Sequence, residues 1–340
     1  MEGNMANNVA LAPWVKRFLM EHIIGERNLA RNTQQSYRDA VRLLITFAAR
    51  KRHRKPDELL VADIDPSLLR EFLWELEETR RCSVSSRNQR LAAIHGLAAF
   101  IGGRCPEYLD WCAQLRQVRS KRTAAQPVCY LDKPEIDALL DAPSSTTKLG
   151  CRDRALLLFL YNSGARAQEA ASVRIADLRL HGGADGTLPS VCLHGKGGKV
   201  RICPLWPSTV NLLRHLIEGR NDKDRVFLNR RSEPLTRFGI HEMVMRHART
   251  ASHHVPEMAR KRIGPHTIRH TTATHLLRAG VDINTIRAWL GHVSINTTNI
   301  YAETDLEMKA KALALCSVNS KRPAKRWRDN HNLMTFLAQL

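Results

Sequence analysis

The sequence is short of acidic residues for its size, and this shortage is its most informative feature. Its 340 residues include 53 lysines and arginines but only 33 aspartates and glutamates, so the formal net charge is +20 at pH 7. Net charge says nothing about the fold, but an excess of positive charge favours a polyanionic partner. We therefore expect DNA or RNA to be bound. The alternative is a generally basic, solvated surface.

Other absences bear on where the protein works. The eight cysteines are scattered and form no Cys-x-x-Cys pair, which is typical of reduced, buried thiols in a cytosolic protein. No apolar run approaches the roughly 18 residues of a membrane span. The first residues also lack the charged start, apolar stretch and cleavage site of a secretory signal. We expect a cytoplasmic protein that does not contact a membrane.

Apolar residues recur at helical spacing through residues 9–103 and predict a first domain made of four helices. Asn32 and Thr33 are the expected cap of the second helix, and Ser85 and Ser86 that of the fourth. Residues 104–127 are basic and weakly periodic, which predicts a linker between two domains.

Residues 128–315 form the expected second domain, which is mainly helical. The stretch LPSVCLHGKGGKVRICPL alternates, contains β-branched residues and is interrupted by glycines, so it predicts a β-hairpin. The fold class is therefore mainly α with a small β-sheet. Residues 316–340 form a basic lead followed by an apolar face. This tail either folds back on its own domain or docks onto another protomer, and we hold both alternatives open.

The stretch HTIRHTTATHLLR contains three histidines that invite a comparison with metal sites. His266 and His270 are four residues apart, as in helical zinc sites. No glutamate stands where a zinc protease requires one, and Arg269 between the two histidines disfavours a divalent cation. We expect no metal and no other cofactor. His270 and His275 are expected to serve in helix packing or in secondary contacts to DNA.

Five basic side chains distributed over the second domain suit a phosphodiester better than a metal. Guanidinium, ammonium and imidazole groups donate hydrogen bonds to nonbridging phosphate oxygens and stabilise the charge of a pentacoordinate phosphorus. A tyrosine that follows them is a potential nucleophile whose ionised form nearby cations favour. Each residue alone is more often a surface charge or a core tyrosine, so the indication depends on the set: Arg166, Lys196, His266, Arg269, His292 and Tyr301.

The order and spacing of these residues resemble those of the tyrosine recombinases, also called the phage integrase family, which include the bacterial Xer-type enzymes. The resemblance is carried by GARAQE, HGKGGKVRICPL, HTIRH and LGHVSINTTNIY. The helices of residues 9–103 are also similar to the helical core-binding domain of that family, although their residue types are less specific. The resemblance implies that residues 128–315 are the catalytic domain.

The resemblance also implies a role for each residue. Tyr301 would attack the scissile phosphate and retain the 3′ end, while Arg166 and Arg269 would bind the nonbridging oxygens. Lys196 would protonate the leaving 5′ hydroxyl, with Lys199 as the alternative acid. His266 would accept the tyrosine proton, and His292 would donate a further hydrogen bond to the phosphate. No metal would be needed.

The expected function is site-specific DNA strand exchange by a homotetramer on double-stranded DNA, in integration or in the movement of a mobile element. A topoisomerase-like relaxing enzyme and a DNA-binding regulator without catalysis are the alternatives. The need for a partner recombinase or accessory protein is left open. For base recognition we single out four polar residues at the start of a helix, with a solvated helix end as the alternative: Arg87, Asn88, Gln89 and Arg90.

Overall fold

The computed structural model describes residues 9–123, 128–182, 187–195 and 197–291. The chain divides into two compact units, Met1–Gln126 and Pro127–Leu340. The predicted fold class, mainly helical with a small sheet, is confirmed. In the described part, no helix is both long and apolar enough to cross a membrane.

The first unit is a bundle of helices around an apolar core. The helices are α1 (Leu11–Arg17, continued by wider π-helical turns over Phe18–Glu26), α2 (Arg31–Arg52), α3 (Pro66–Glu78), α4 (Val84–Gly102) and α5 (Leu109–Arg116). Their apolar stripes meet at fully buried residues such as Phe18, Leu44, Leu69 and Leu91. Burial of these stripes is what holds the bundle together, since isolated helices of this length are marginal in water.

Two helices of the first unit begin earlier than the sequence predicts. Helix α2 begins after Ala30, which provides no side-chain cap, so Asn32 and Thr33 lie inside the helix. Helix α4 is capped by Ser83, whose hydroxyl accepts a hydrogen bond from the backbone nitrogen of Ser86 at 3.2 Å. Ser85 and Ser86 therefore belong to the first turn of α4 and do not precede it.

The expected linker, 104–127, is corrected by the position of α5. This helix packs against α4, and Leu115 and Val118 are buried in the core of the first unit. The indole nitrogen of Trp111 donates to the backbone oxygen of Ile64 at 2.8 Å. Helix α5 is short and runs into the basic stretch RQVRSKR, whose weak periodicity predicted the linker. Residues 104–118 thus belong to the first unit, which ends at the far end of the expected linker.

The second unit consists of seven helices and a three-stranded sheet in its described part. The helices are α6 (Lys133–Asp141), α7 (Lys148–Ser163), α8 (Ala167–Ser172), α9 (Pro207–Ile217), α10 (Arg237–Ser252), α11 (Pro265–Arg278) and α12 (Ile283–Leu290). Helix α7 lies at the centre of the core, where Leu156, Phe159 and Leu160 are fully buried together with Ile268 of α11.

The predicted hairpin forms the main part of the sheet. Strands β2 (Ser190–His194) and β3 (Val200–Pro204) pair antiparallel, with Leu193 opposite Arg201. A two-residue strand, β1 (Leu178–Arg179), pairs with the other edge of β2. It is too short to produce an alternating pattern, and the sequence did not predict it. Gly197 and Gly198 at the turn have positive φ angles of 77° and 73°, a conformation that glycine adopts at little cost.

Candidate active site

Arg166 is positioned by a sharp turn between α7 and α8. Helix α7 ends at Gly164, whose φ of 59° and ψ of 25° place it in the left-handed region. A Cβ atom at Gly164 would lie 2.5 Å from Cδ2 of Leu290, so any other residue there would strain the turn. Arg166 precedes the first residue of α8, with its side chain 34% exposed. The turn therefore holds an arginine at the surface beside α12.

Glu169 fixes Arg166 in this place. One carboxylate oxygen accepts from the backbone nitrogen of Arg166 at 2.9 Å, and the other accepts from its Nη1 at 2.8 Å. Arg201 of β3 donates from Nη2 to the first of these oxygens at 2.6 Å. Burial alone raises the pKa of Glu169, but the bonds and charges of the two arginines outweigh it and bring the pKa to about 2. Glu169 is thus an anion at neutral pH.

Neither Glu169 nor Arg201 was predicted as a site residue from the sequence, although the sequence around each contains an indication of its role. Glu169 lies three residues after the residue that precedes α8, the spacing of a capping box. Arg201 shares the inward face of β3 with the fully buried Cys203, whereas Val200 and Ile202 are exposed on the other face. A charged residue at an inward strand position requires a buried partner, because an unpaired buried charge is costly.

Arg269 of α11 connects three segments from a buried position. It is 4% exposed, and it donates from Nη1 to the backbone oxygen of Gly164 at 2.6 Å and from Nη2 to that of Leu290 at 2.5 Å. Both acceptors are carbonyl groups at helix ends, which lack partners within their own helices. The second arginine is therefore held next to the turn that carries the first.

His266 lies at the start of α11, one turn before Arg269. The residue is exposed, but the atoms packed about its ring desolvate it and lower its pKa, and the charges of Arg269, Arg166 and His241 lower it further. A neutral imidazole at neutral pH can accept a proton. His266 lines a hollow of about 520 Å³ that also contains His241.

A second hollow, the arginine cleft, contains Arg166 but neither His266 nor Arg269. It has a volume of about 980 Å³ and is lined by Arg166, Arg201, Lys199 and the glycines that flank position 196. Gly291, which ends α12 in the left-handed conformation, lies at its wall. The predicted residues Lys196, His292 and Tyr301 lie outside the described residues.

His270 and His275 take part in packing, as one of the two expectations for them stated. Nδ1 of His275 lies 2.7 Å from the hydroxyl of Tyr161, and the two rings meet edge to face. Burial lowers the pKa of His270 to about 4, with smaller contributions from His266 and Arg269. Among the described residues, no group of three or more histidine, cysteine, aspartate or glutamate side chains is arranged to hold a metal ion.

The four residues singled out for base recognition lie in the first unit and are largely engaged within it. Arg87 is 6% exposed and donates to the backbone oxygen of Arg119 at 3.1 Å. Asn88 binds both the backbone oxygen and the backbone nitrogen of Lys121. These two side chains hold residues 119–121 against α4, so they are not a solvated helix end, and base recognition by the four residues stays a prediction. Gln89 is exposed and donates to the hydroxyl of Ser36 at 2.9 Å, and Arg90 is half-buried and donates to the backbone oxygen of Ser86 at 3.3 Å.

Comparison with known proteins gives the same assignment for both units. The model of the phage integrase family matches residues 129–308. The model of the phage integrase N-terminal SAM-like domain matches residues 15–102. A putative integrase/recombinase of Sinorhizobium fredii, y4rC, is 37% identical, and the match covers 99% of this chain and 100% of that protein. Tyrosine recombinase XerC of Pelobacter propionicus is 34% identical over 84% of this chain and 89% of its own length.

Solved structures share the fold. The XerH site-specific recombinase bound to a palindromic difH substrate superimposes with a TM-score of 0.66 at 23% identity, over 86% of this chain and 82% of that one. The Tn1549 transposon integrase in complex with circular intermediate DNA also reaches 0.66, at 17% identity, over 90% and 100% of the two chains. With both family models matched in order and with relatives of more than 30% identity along most of its length, this chain belongs to the phage integrase family of tyrosine recombinases.

Proposed function

We propose that the chain cuts and rejoins DNA at specific sites by means of Tyr301, through a covalent 3′-phosphotyrosine intermediate. Membership of the family makes the chain a DNA strand transferase, a class that needs no metal ion. The observation that carries the assignment of residues is that the turn bearing Arg166 is hydrogen-bonded to Arg269 through the carbonyl group of Gly164. Glu169 holds the first, and the carbonyl groups of Gly164 and Leu290 hold the second.

The chemistry needs one bond formed and one broken at phosphorus. The Tyr301 oxygen attacks the scissile phosphate while its proton passes to His266, whose lowered pKa keeps the ring neutral. The bond to the 5′ oxygen breaks, and Lys196, or Lys199 in its place, supplies the proton that makes this oxygen a hydroxyl. Rejoining is the reverse reaction, with a 5′ hydroxyl attacking the phosphotyrosine. The phosphodiester energy is conserved in the intermediate.

Preorganised positive charges lower the activation barriers of cleavage and of rejoining. In the pentacoordinate transition state the nonbridging oxygens become more negative, and Arg166, Arg269 and His292 would donate to them. The two arginines have their positions fixed by bonds within the protein, so little reorganisation accompanies the reaction. The overall charge of +20 attracts the duplex to the protein.

The setting of the reaction belongs to the same proposal. We place the protein in the cytoplasm, acting as a homotetramer that exchanges strands between two double-stranded sites of a mobile element. The name integrase/recombinase of the y4rC relative and the circular transposon intermediate bound by the Tn1549 enzyme support a mobile element. Residues 9–123 would grip the duplex, with Gln89 and Arg90 as contacts. Residues 316–340, which lie outside the described residues, would either fold back on their own domain or join a neighbouring protomer.

Covalent capture tests the proposal without knowledge of the target. The purified protein is incubated with sheared source DNA in EDTA, the reaction is stopped with SDS, and protein-bound fragments are recovered and sequenced. Wild-type protein should give adducts at a few inverted-repeat sites, and Tyr301→Phe should give none. Tyr161→Phe is the matched control, because the hydroxyl of Tyr161 is hydrogen-bonded to His275 and has no proposed role in cleavage. This variant should retain adduct formation.

The other two outcomes identify the competing functions. Adducts scattered without sequence preference would indicate a topoisomerase-like enzyme. DNA binding with no adduct would indicate a regulator without catalysis and would overturn the proposal.

A further inference from the structure

Arg201 lies on β3, and its charged side chain points into the protein. Its side chain is 9% exposed, and it shares the inward face of β3 with Cys203, while Val200 and Ile202 face outward and are exposed. A guanidinium group in such a place must be paired, and its planar fork suits acceptors that lie in two different directions.

The partners of Arg201 belong to two other parts of the site. Nη2 donates to Oε2 of Glu169 at 2.6 Å, and Nε donates to the backbone oxygen of Trp289 at 2.8 Å. Glu169 in turn holds Arg166 through its other oxygen at 2.8 Å. Trp289 lies in the last turn of α12, where carbonyl groups have no partner within the helix. One side chain therefore ties the hairpin strand to Arg166 and to the end of α12.

Two glycines lie where these segments approach one another. A Cβ atom at Gly291 would lie 3.2 Å from Cδ of Arg201, and a Cβ atom at Gly195 would lie 3.4 Å from Oε1 of Glu169. Gly195 is the residue at which the chain leaves β2 for the hairpin turn. The start of the hairpin turn and the end of α12 are thus packed against the pair formed by Arg201 and Glu169.

We propose that Arg201 is a positioning residue for strand cleavage, which fixes the lysine-bearing hairpin against Arg166 and the end of α12. This inference rests on the proposed function, because Arg201 acts through the hairpin lysine that protonates the leaving oxygen. Arg201 lines the arginine cleft and acts through its bonds to Glu169 and Trp289. Without its two bonds, the start of β3 keeps its pairing with β2 but loses its links to Glu169 and to the end of α12, and the lysine is less often within hydrogen-bonding distance of the 5′ oxygen. A displacement of about 1 Å can slow such a step about 100-fold.

The test compares two leaving groups on a nicked duplex that carries the site recovered by covalent capture. One substrate has the natural 5′ oxygen at the scissile phosphate, and the other has sulfur in its place. When Tyr301 attacks the second, the phosphorus–sulfur bond breaks and the electron pair leaves as a thiolate. A thiol has a pKa near 8.5, far below that of an alcohol, so this departure needs no proton from a lysine.

Arg201→Met should cleave the oxygen substrate about 100-fold more slowly than wild type and the sulfur substrate at close to the wild-type rate. Arg201→Lys should show the same pattern, because the ammonium group of lysine keeps the charge but lacks the planar set of donors that reaches both Glu169 and Trp289. Arg220→Met is the matched control. Arg220 also donates to backbone oxygens of its own unit, including that of Val226 at 2.9 Å, and its loss should leave both rates unchanged.

The remaining outcomes would contradict the positioning role of Arg201. A variant equally slow on both substrates would show that Arg201 supports the phosphate-binding arginines or the fold and not the hairpin. Full activity of Arg201→Met would show that the bonds have no part in cleavage, and full activity of Arg201→Lys would show that charge alone matters. Failure of the wild-type protein to form any adduct would instead overturn the proposed function.

Discussion

Arg269 donates a hydrogen bond to the backbone oxygen of Gly164, 2.6 Å away, across 105 residues of sequence. The bond joins the helix that carries the second arginine to the turn that presents the first. It forms because Gly164 ends α7 in a left-handed conformation, which turns its carbonyl group toward α11. The relative position of the two arginines therefore depends on a backbone conformation and not only on their own side chains.

Gly164→Ala should destabilise the protein by about 3 kcal/mol. About 1 kcal/mol arises from the positive φ, and the rest arises because the new Cβ would meet Leu290 at 2.5 Å. Urea denaturation measures the loss. Gly219→Ala is the control, since Gly219 has a φ of 71° and nothing in the described part of the chain lies within 4 Å of the place that a Cβ would take. An equal loss in both variants would show that the contact with Leu290 does not matter.

Arg166→Lys should lower the rate of strand cleavage about 100- to 1,000-fold, the usual cost of one donor to a developing oxyanion. Lysine keeps the charge but cannot bind Glu169 and a phosphate oxygen with a planar fork. Because the Arg166 side chain is 34% exposed, the unfolding free energy should change by less than about 1 kcal/mol. Single-turnover adduct formation gives the rate. A variant that cleaves as fast as wild type would remove Arg166 from the phosphate site.

Much of the site could be predicted because its signals are local. The His-x-x-Arg spacing places His266 and Arg269 on neighbouring turns of a single helix, and periodicity alone predicts α11 and α12. The hairpin follows from alternation and a glycine-rich turn within a short stretch. Glu169 and Arg201 lie 32 residues apart, and nothing in either stretch specifies the other as a partner. Only the packing of α8 against the sheet brings them together.

In the first unit, local signals in the sequence were misleading. The weak periodicity of residues 104–118 predicted a linker, but a few apolar side chains such as Leu115 suffice to dock a short helix on a bundle that already exists. That docking also explains why Arg87 and Asn88 are engaged. Polar residues at the start of a helix look solvated in sequence until another segment covers them.

Cleavage should depend on pH through His266. Its pKa is lowered below the ordinary value of 6.5 by burial and by the neighbouring arginines, so the ring is neutral at pH 7 and accepts the tyrosine proton. The rate should stay constant as the pH falls toward 6.5 and decrease only at lower pH, where the ring becomes protonated. Single-turnover rates across this range test the profile. In His266→Gln the rate should be at least about 100-fold lower. If the same inflection persists in that variant, another group is the base.

His270 should make the stability of the second unit depend on pH. Its pKa is about 4 in the folded protein against an ordinary value of 6.5, so between these values the unfolded chain binds a proton that the folded chain does not. Unfolding free energy therefore decreases as the pH falls from 6.5 to about 4, by up to about 3 kcal/mol for this group, and His270 adds nothing further below that. Urea denaturation at pH 7 and pH 5 should show a smaller difference for His270→Asn than for wild type. His254→Asn, a change at an exposed position, should leave the wild-type difference intact. An unchanged difference in His270→Asn would assign the acid sensitivity to other groups.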